Sequence, residues 1–210
     1  QTYYDLWYDA LEKADQHIID YEPAYSQAAA VKAFEEQYYF SDYAPHIHYA
    51  NSTSIRLANL FARHPVWCNR GINGIEGCVS TAVGFAMAVP ENERLVLVTG
   101  DLAFFYDSNA LWNENLPSNI GILLLNNGEG GIFRQVKGFG DNPMAQGFHH
   151  ATAEGICHQN GVAYVAVHNA TELHQQIKRL EEDTPIVIEV FTDAEIDKQE
   201  FNNIYNSFKL

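Results

Sequence analysis

The sequence predicts an α/β fold: a doubly wound, mainly parallel β-sheet with helices on both faces, preceded by a helical arm. From Pro45 onward, short β-rich runs alternate with stretches of helical periodicity, which is the rhythm of repeated βαβ units. Two runs, 94–99 and 120–125, are continuously apolar, as expected of central strands covered on both sides. With 47% hydrophobic and 19% charged residues among 210, the composition excludes a disordered, collagen-like or coiled-coil chain.

The elements follow in order along the chain. Residues 1–44 form the predicted arm or linker, which we interpret as the trailing part of a preceding domain, and 45–210 form the sheet domain. Helical periodicity in the arm is interrupted at Pro23 and resumes over 28–40. Strands are predicted near 46–50, 65–68, 94–99, 120–126, 162–167 and 185–191. Helices are predicted near 52–62, 75–88, 103–115, 152–160, 170–182 and 195–207.

The charge balance excludes a basic nucleic-acid reader. The chain has 12 Lys and Arg against 27 Asp and Glu, and its net charge of −15 opposes binding to nucleic acid or to an anionic membrane. Half of the basic residues nevertheless lie between 50 and 140, where a bound anion is therefore expected, unless they are solvated arginines on unrelated faces. These residues are Arg56, Arg63, Arg70, Arg94, Arg134 and Lys137.

The apolar runs are also too short for a membrane anchor, since a spanning helix needs roughly 20 residues. The first residues lack the order of a signal peptide, and three cysteines (Cys68, Cys78 and Cys157) cannot all pair with one another. We therefore expect a reduced, cytoplasmic protein. Because the chain starts at Gln1 without a methionine, we also expect it to be a fragment of a longer protein.

Polar residues follow both central strands, where ligands collect in open α/β sheets. Asp101 and Asn127 are 26 positions apart, about one crossover, so their side chains should converge at one sheet edge. Mg²⁺ takes one or two protein oxygens and completes its octahedron with phosphate and water. The spacing therefore predicts a Mg²⁺ site that bridges to a diphosphate, which also reconciles an acidic chain with an anionic ligand. The alternative is that Asp101 caps the following helix.

The segment 126–133 supports the metal site, because three glycines in four residues permit positive φ and close approach of the backbone to a ligand. A second candidate, the pair His149 and His150, is weaker. Adjacent side chains cannot share one helix face, and no other spaced ligands accompany them. We interpret these histidines as structural or solvent-exposed.

These motifs resemble those of the thiamine-diphosphate (ThDP)-dependent enzymes. Gly100-Asp101, followed after a helix by Asn126-Asn127, is similar to the family's ThDP and Mg²⁺ motif. A narrower resemblance, to the MenD synthases of menaquinone biosynthesis, extends from about residue 45 to the end, the diphosphate-binding (PP) domain. It rests on Asn51-Ser52 with Arg56, 69–77, Gly100-Asp101-Leu102 with 106–109, and 126–133. Such enzymes are transferases that join 2-oxoglutarate to isochorismate with loss of CO₂.

The resemblance implies that Asp101 and the Asn127 side chain bind Mg²⁺ (or Mn²⁺), with the backbone carbonyl of Glu129 as third ligand. It implies cofactor contacts for Asn51, Ser52, Ile75, Gly100, Asp101, Leu102, Ala103 and Asn127. Within this set, Ile75 is the apolar support of a bent cofactor. Where most family members have glycine, Leu102 fits the MenD branch better.

For the substrates, the resemblance implies that Arg56 and Arg70 receive the 2-oxoglutarate carboxylates beside Ser52. Ile132 and Phe133 would line the isochorismate side. Guanidinium groups suit bidentate capture of carboxylates, and Arg56 follows Ser52 by one helical turn on the same face. Surface salt bridges are the alternative for both arginines, and a buried position at a helix start is the alternative for Ile75.

The resemblance also implies a homo-oligomer. In the family, the glutamate that activates the cofactor lies in a pyrimidine-binding domain contributed by the partner subunit, and no counterpart fits into the first 44 residues. We expect this chain alone to bind cofactor weakly, if at all, and not to turn over. Two alternatives stay open: another ThDP-dependent decarboxylase or acetolactate-type synthase, and a noncatalytic nucleotide-binding or interaction module on the same fold.

Overall fold

A computed structural model describes residues 2–39, 44–135 and 142–208, and the predicted α/β architecture is confirmed. The strands are β1 (His46–Tyr49), β2 (Trp67–Cys68), β3 (Leu95–Gly100), β4 (Ile120–Asn126), β5 (Ala163–Val167) and β6 (Ile186–Phe191). The helices are α1 (Tyr3–Asp20), α2 (Gln27–Tyr39), α3 (Thr53–Phe61), α4 (Cys78–Ala88), α5 (Asp101–Tyr106), α6 (Pro143–Gln146), α7 (Glu154–Gln159), α8 (Ala170–Gln176) and α9 (Ala194–Ser207). Three 3₁₀ turns cover Ser108–Trp112, Gly131–Gln135 and Ile177–Glu181.

All six strands pair in parallel, in the order β2-β1-β3-β4-β6-β5. The two central strands lie in register from Leu95 opposite Ile120 to Gly100 opposite Leu125, so they end level with each other. Their side chains divide between two hydrophobic clusters, one on each side of the sheet. Burial on both faces explains why these strands read as continuous apolar runs. Because the two strands end level with each other, the residues after β3 and β4 lie at one edge of the sheet.

The structure shortens three predicted helices. The one predicted over 170–182 ends as an α-helix at Gln176 and continues as the 3₁₀ turn Ile177–Glu181. The helix predicted over 75–88 begins at Cys78, because Gly77 adopts a left-handed conformation at φ 79° that ends the preceding loop. The helix predicted over 103–115 begins at Asp101 and breaks at Asp107, whose carboxylate accepts a hydrogen bond from the Ser80 backbone N–H at 2.6 Å. That bond joins α5 to α4 beside the sheet edge. The sequence pattern had also not predicted the short α6.

The second arm helix, α2, lies in the core of the sheet domain. Ala30, Val31 and Phe34 are fully buried in the cluster that also contains side chains of β1, β3, β4 and β6. By contrast, Ile18 is the buried residue of α1. The domain division at residue 45 stays a prediction. α2 precedes it in the sequence, although its side chains pack in the core of the sheet domain. In the described ranges, no helix has both the length and the apolarity to cross a membrane.

A buried carboxylate ties α2 to the sheet and to the segment after α3. Glu35 accepts hydrogen bonds from the Tyr49 hydroxyl and from His64 Nε2, the latter at 2.7 Å. The other ring nitrogen, Nδ1, lies 3.0 Å from the Pro65 carbonyl oxygen. Because both ring nitrogens face oxygen acceptors, the imidazolium form is favoured. The hydrogen bond to Glu35 is the main cause that raises the pKa of His64.

This contact predicts a pH-dependent contribution to stability. A histidine whose pKa is higher in the folded state stabilises the fold fully below the unfolded pKa, about 6.5, and the stabilisation is lost as pH rises through the folded pKa. We therefore expect His64→Gln to lower the free energy of unfolding more at pH 5.5 than at pH 8.5. Urea unfolding of both proteins at the two pH values measures the difference, and equal deficits would contradict this role.

Candidate cofactor and metal site

A cavity of about 340 Å³ opens at the carboxyl edge of the sheet, and its walls hold nearly all of the residues singled out from the sequence. The predicted residues that line it are Asn51, Ser52, Arg56, Arg70, Ile75, Gly100, Asp101, Leu102, Ala103, Glu129, Ile132 and Phe133. The wall residues that sequence reasoning did not assign include Gln27, Asn73 and Glu76. Asn73 and Glu76 lie within the segment 69–77, which was part of the resemblance, but neither residue was assigned a role.

The N-terminus of α3 forms one wall of the cavity. Ser52 is its N-cap, with φ 74° and no hydrogen bond from its side chain to the helix, a strained backbone for a residue other than glycine. The Ser52 side chain therefore does not cap the first backbone N–H groups of α3. Since a helix N-terminus carries partial positive charge, this wall suits an anionic group.

Asn51 holds the opposite wall in place. Its side-chain nitrogen donates to the backbone carbonyls of Ile72 at 3.1 Å and Gly74 at 2.5 Å, so it anchors the loop that precedes α4. Ile75 follows on this loop and packs against the hydrophobic cluster on that side of the sheet. The amide of Asn51 is thus committed to the protein, and its contribution to the site is to position the loop that presents Ile75.

Asp101 joins the ends of the two central strands. Its Oδ2 accepts hydrogen bonds from the backbone N–H of Gly128 at 2.9 Å and of Asn127 at 3.2 Å. Its Oδ1 accepts from the backbone N–H of Leu102 at 2.7 Å, so the capping role considered from the sequence is present in part. The carboxylate is buried, and its contacts with the strand ends place it where the spacing predicted.

His149 completes the surroundings of Asp101. Its Nε2 lies 3.4 Å from Asp101 Oδ2, its ring packs edge-on against Phe105, and the interaction with the carboxylate is the main cause that raises its pKa. The side chain of His150 points elsewhere, toward Phe148. No group of three His, Cys, Asp or Glu side chains in the described part of the chain is arranged to hold a metal.

Asn127 is the predicted ligand that does not line the cavity. Its Nδ2 donates to Asp197 Oδ2 at 2.9 Å, and its Oδ1 accepts from the Glu129 backbone N–H at 3.3 Å. It lies in a smaller cavity that shares Gln27 and Gly131 with the larger one. The side chains of Asp101 and Asn127 thus do not contact each other through a hydrogen bond in the described residues, although Asp101 binds the backbone of Asn127.

Glu129 lines the cavity, but its carboxylate is already bound within the protein. The carboxylate is buried and forms an ion pair with Arg134, whose Nη2 donates at 2.8 Å. The backbone carbonyl accepts a hydrogen bond from the Gly131 N–H at 3.1 Å, and its second lone pair has room for another partner. A carboxylate occupied in this way leaves the carbonyl as the atom that suits a cation, in line with the expectation from the sequence.

Of the six basic residues between 50 and 140, two line the cavity. Arg56 Nη1 is buried and has no hydrogen-bond partner within the described chain, and Arg70 is exposed at the rim. The others have structural roles: Arg63 pairs with Asp15, Arg134 pairs with Glu129 and Glu195, and Arg94 is buried against backbone carbonyls. Lys137 lies outside the described residues. The described basic residues of this stretch therefore do not form one cluster, and Arg56 and Arg70 are those that line the cavity.

The donor set suits a magnesium ion. Carboxylate, amide and carbonyl oxygens are hard ligands, and one carboxylate is enough when phosphate oxygens and water complete the octahedron. The unpartnered Arg56 nitrogen and the α3 N-terminus add two positions for anionic groups in the same cavity. The residues present therefore fit a diphosphate cofactor held through a cation.

Residues 52–190 match the family described as "Thiamine pyrophosphate enzyme, C-terminal TPP binding domain", and the chain belongs to that family. Among curated proteins, it is 40% identical over 174 residues to the 2-succinyl-5-enolpyruvyl-6-hydroxy-3-cyclohexene-1-carboxylate synthase of Phocaeicola vulgatus, which covers 78% of this chain and 31% of that protein. The proteins of the same name from Christiangramia forsetii and Desulfotalea psychrophila are 37% and 44% identical over 85% and 70% of this chain. The chain spans about a third of their length, 32% and 28% respectively. The resemblance predicted from the sequence is confirmed.

Solved structures support the fold. A benzoylformate decarboxylase from Polynucleobacter necessarius aligns with a TM-score of 0.67 at 17% identity, over 80% of this chain and 33% of that one. A putative thiamin diphosphate-dependent enzyme from Mycobacterium smegmatis aligns with a TM-score of 0.62 at 23% identity, over 80% and 32% of the two chains. At these identities the likeness concerns the architecture and carries no statement about substrates.

Proposed function

We propose that this chain is the diphosphate-binding part of a ThDP- and Mg²⁺-dependent 2-succinyl-5-enolpyruvyl-6-hydroxy-3-cyclohexene-1-carboxylate synthase. The whole enzyme would join 2-oxoglutarate to isochorismate with loss of CO₂ in menaquinone biosynthesis, in the cytoplasm. The observation that carries the proposal is 37–44% identity to proteins of that name over 70–85% of this chain. When bound, the cofactor supplies the electron sink for decarboxylating a 2-oxo acid.

The chain's own residues hold and shape the site. Asp101, the Asn127 side-chain oxygen and the Glu129 carbonyl would hold Mg²⁺ (or Mn²⁺) against the diphosphate. Close packing of Gly130 against the Gln146 carbonyl and Leu102 keeps this loop pressed onto the start of α5, since an added Cβ would lie 3.1 Å from that oxygen. The α3 N-terminus would receive further charge on the diphosphate. The loop anchored by Asn51 would present Ile75 as apolar support for the cofactor.

The arginines give the site its preference for a dicarboxylate. A buried guanidinium nitrogen without a partner carries a desolvation cost, which a substrate carboxylate would offset by a charge-assisted hydrogen bond. Arg56 supplies this nitrogen, and Arg70 at the rim would bind the second carboxylate of 2-oxoglutarate. Ile132 and Phe133 also line the cavity, are apolar and would contact isochorismate, where they would exclude water from the reacting carbons.

A second domain is part of this proposal. The pyrimidine-binding domain, with its activating glutamate, would come from the partner subunit of a homo-oligomer, so the chain by itself would bind ThDP weakly and would not turn over. Titration of ThDP into the ¹⁵N-labelled chain, with and without Mg²⁺, tests the cofactor site, because NMR shifts report even millimolar affinities. We expect Mg²⁺-dependent shifts at residues 51–53, 100–102 and 128–131.

Two outcomes would count against the proposal. Metal-independent shifts, or no binding of ThDP even when the missing domains are restored, would favour a noncatalytic module on the same fold. Steady formation of the succinyl adduct by the purified chain would show that no second domain is required.

Arg56 distinguishes a 2-oxoglutarate enzyme from a pyruvate-type decarboxylase or synthase. With ThDP and Mg²⁺ present, Arg56→Met should weaken 2-oxoglutarate binding by about 10- to 100-fold, the value of about 1.5–3 kcal/mol for a hydrogen bond to a charged group. Binding of ThDP should be unchanged. Arg179→Met is the matched control, because Arg179 pairs with Glu182 on the surface. Unaltered 2-oxoglutarate binding in Arg56→Met would favour the alternative donors, which lack a second carboxylate.

A further inference from the structure

The first turns of the C-terminal helix α9 hold the loop that follows β4. Asp197 Oδ2 accepts hydrogen bonds from Asn127 Nδ2 at 2.9 Å and from the Thr192 hydroxyl at 2.8 Å. Its Oδ1 accepts from the backbone N–H of Gln27, at the start of α2, at 2.7 Å. One carboxylate therefore connects the end of β6, the first residue of α2 and the side chain of Asn127.

The contact with Asp197 determines which way the Asn127 amide points. An amide presents a donor on one side and an acceptor on the other, and a carboxylate accepts only. If the amide were reversed, Asn127 Oδ1 would face Asp197 Oδ2 at about the present 2.9 Å, with two acceptors in contact. The oxygen is therefore kept on the side of the loop, where it accepts from the Glu129 backbone N–H.

A second connection from the same helix acts on Glu129. Glu195 accepts a hydrogen bond from Arg134 Nη1 at 2.7 Å, and the same guanidinium binds the Glu129 carboxylate. The Glu129 side chain is thus held toward α9, while Glu129 is one of the residues that line the cavity. Both residues of the loop whose oxygens were assigned to the cation are therefore fixed from α9, about 70 positions further along the chain.

We propose that Asp197 is a positioning residue for the cation site: it holds the Asn127 amide with its oxygen on the side of the loop, where the lone pair not used by the Glu129 N–H can bind Mg²⁺. This inference rests on the proposed function, because it takes Asn127 as a ligand. The sequence motif of the family does not extend to α9 in the resemblance described above. The inference comes from the hydrogen bonds of the two side chains.

Exchanging the two side chains tests the proposal. In Asp197→Asn, residue 197 can present an N–H donor to Asn127 in place of the carboxylate acceptor, so the Asn127 amide is no longer held in one orientation. We expect the Mg²⁺ concentration that gives half-maximal ThDP-induced NMR shifts to rise about 10- to 100-fold. In the double variant Asn127→Asp with Asp197→Asn, the hydrogen bond is restored with reversed direction and an oxygen still faces the loop. We expect this variant to return to within a few-fold of the wild type.

Two controls separate positioning from other effects. Asn127→Asp alone sets two carboxylates against each other, so it should bind Mg²⁺ more weakly than the double variant. An equal or tighter response would mean that added charge, and not the hydrogen bond, explains the rescue. Thr192→Val removes another donor to the same carboxylate and should leave the Mg²⁺ response unchanged. A rise equal to that of Asp197→Asn would assign Asp197 a merely structural role.

The outcomes for the two proposals differ. If the wild-type chain shows no Mg²⁺-dependent response to ThDP even when the missing domains are restored, the proposed function is overturned and this inference with it. If the wild type responds and Asp197→Asn responds at the same Mg²⁺ concentration, the proposed function stands and the positioning role of Asp197 is overturned. Thermal unfolding of each variant, followed by circular dichroism without ThDP, confirms that the compared proteins are folded.

Discussion

Asp101→Ala is expected to abolish Mg²⁺-dependent binding of ThDP while most of the fold remains. The substitution removes the one carboxylate assigned to the cation, so the loss of Mg²⁺ affinity should exceed the roughly 10- to 100-fold effect of an outer-shell partner. It also leaves the backbone N–H of Asn127 without its acceptor, which costs about 1–3 kcal/mol of stability, whereas the Gly128 N–H keeps the Asn126 side-chain oxygen as acceptor. The NMR titration with ThDP and Mg²⁺ measures the first effect, and urea unfolding measures the second.

Two variants separate the loss of a ligand from the loss of these hydrogen bonds. Asp101→Asn keeps an acceptor for the loop but removes the negative charge, so it should recover much of the stability and little of the Mg²⁺ affinity. Glu91→Ala removes one exposed negative charge at the turn before β3 and should change neither quantity. Unchanged Mg²⁺ dependence in Asp101→Ala would contradict the assignment of Asp101 as a ligand.

The sheet edge that carries these residues could be predicted from the sequence for a physical reason. β3 and β4 are buried on both faces, so their apolar runs mark the strands to within a residue, and parallel pairing makes their ends coincide. The location of the ligand cavity then follows from the general behaviour of open α/β sheets. Twelve of the thirteen residues predicted for the site line that cavity because they all lie in segments that reach this edge.

The orientation of Asn127 could not be predicted, because its partner is far away in the sequence. Asp197 lies 70 positions further on, and nothing in the pattern of α9 marks one of its acids as the acceptor for an amide after β4. The same limit explains the basic cluster. The sequence gives the number of arginines but not their partners. Arg94 donates to a backbone carbonyl and Arg134 to a carboxylate, and only the tertiary structure shows these contacts.

Helical periodicity had a similar limit in the arm. The pattern over 28–40 predicted a helix but could not say what that helix packs against, and the arm was interpreted as part of a preceding domain. In the structure, α2 buries Phe34 among the strands and its Glu35 contacts Tyr49 of β1. Amphipathicity therefore predicts that a helix is covered, while the partner that covers it depends on the tertiary fold.

Glu189 is the clearest case of a polar residue on which the sheet depends. It interrupts the apolar run of β6, is fully buried, and accepts hydrogen bonds from three groups. The donors are Asn126 Nδ2 at 2.7 Å, the Ala153 backbone N–H at 3.0 Å and the Tyr164 hydroxyl at 2.6 Å. Burial and this contact with Glu189 raise the pKa of Tyr164, so the phenol remains a donor.

Glu189→Ala is therefore expected to cost at least about 3 kcal/mol of unfolding free energy. Each of the three donors loses a buried acceptor, at about 1–3 kcal/mol per group, and a domain of this kind has only about 5–15 kcal/mol in total. Glu189→Gln keeps one acceptor and the shape of the side chain, so its loss should be clearly smaller. Urea unfolding at pH 7 of both variants, with the exposed-site variant Glu154→Ala as the control, measures the difference.

The same substitution tests whether the core network also acts on the site. Asn126 precedes Asn127, and its side chain is held by Glu189 at 2.7 Å while its Oδ1 accepts from the Gly128 N–H at 3.0 Å. Loss of Glu189 should therefore loosen the loop that carries the cation ligands, and Glu189→Gln should raise the Mg²⁺ requirement for ThDP binding even where the chain is fully folded. A Gln variant with wild-type Mg²⁺ dependence would confine the role of Glu189 to the stability of the sheet.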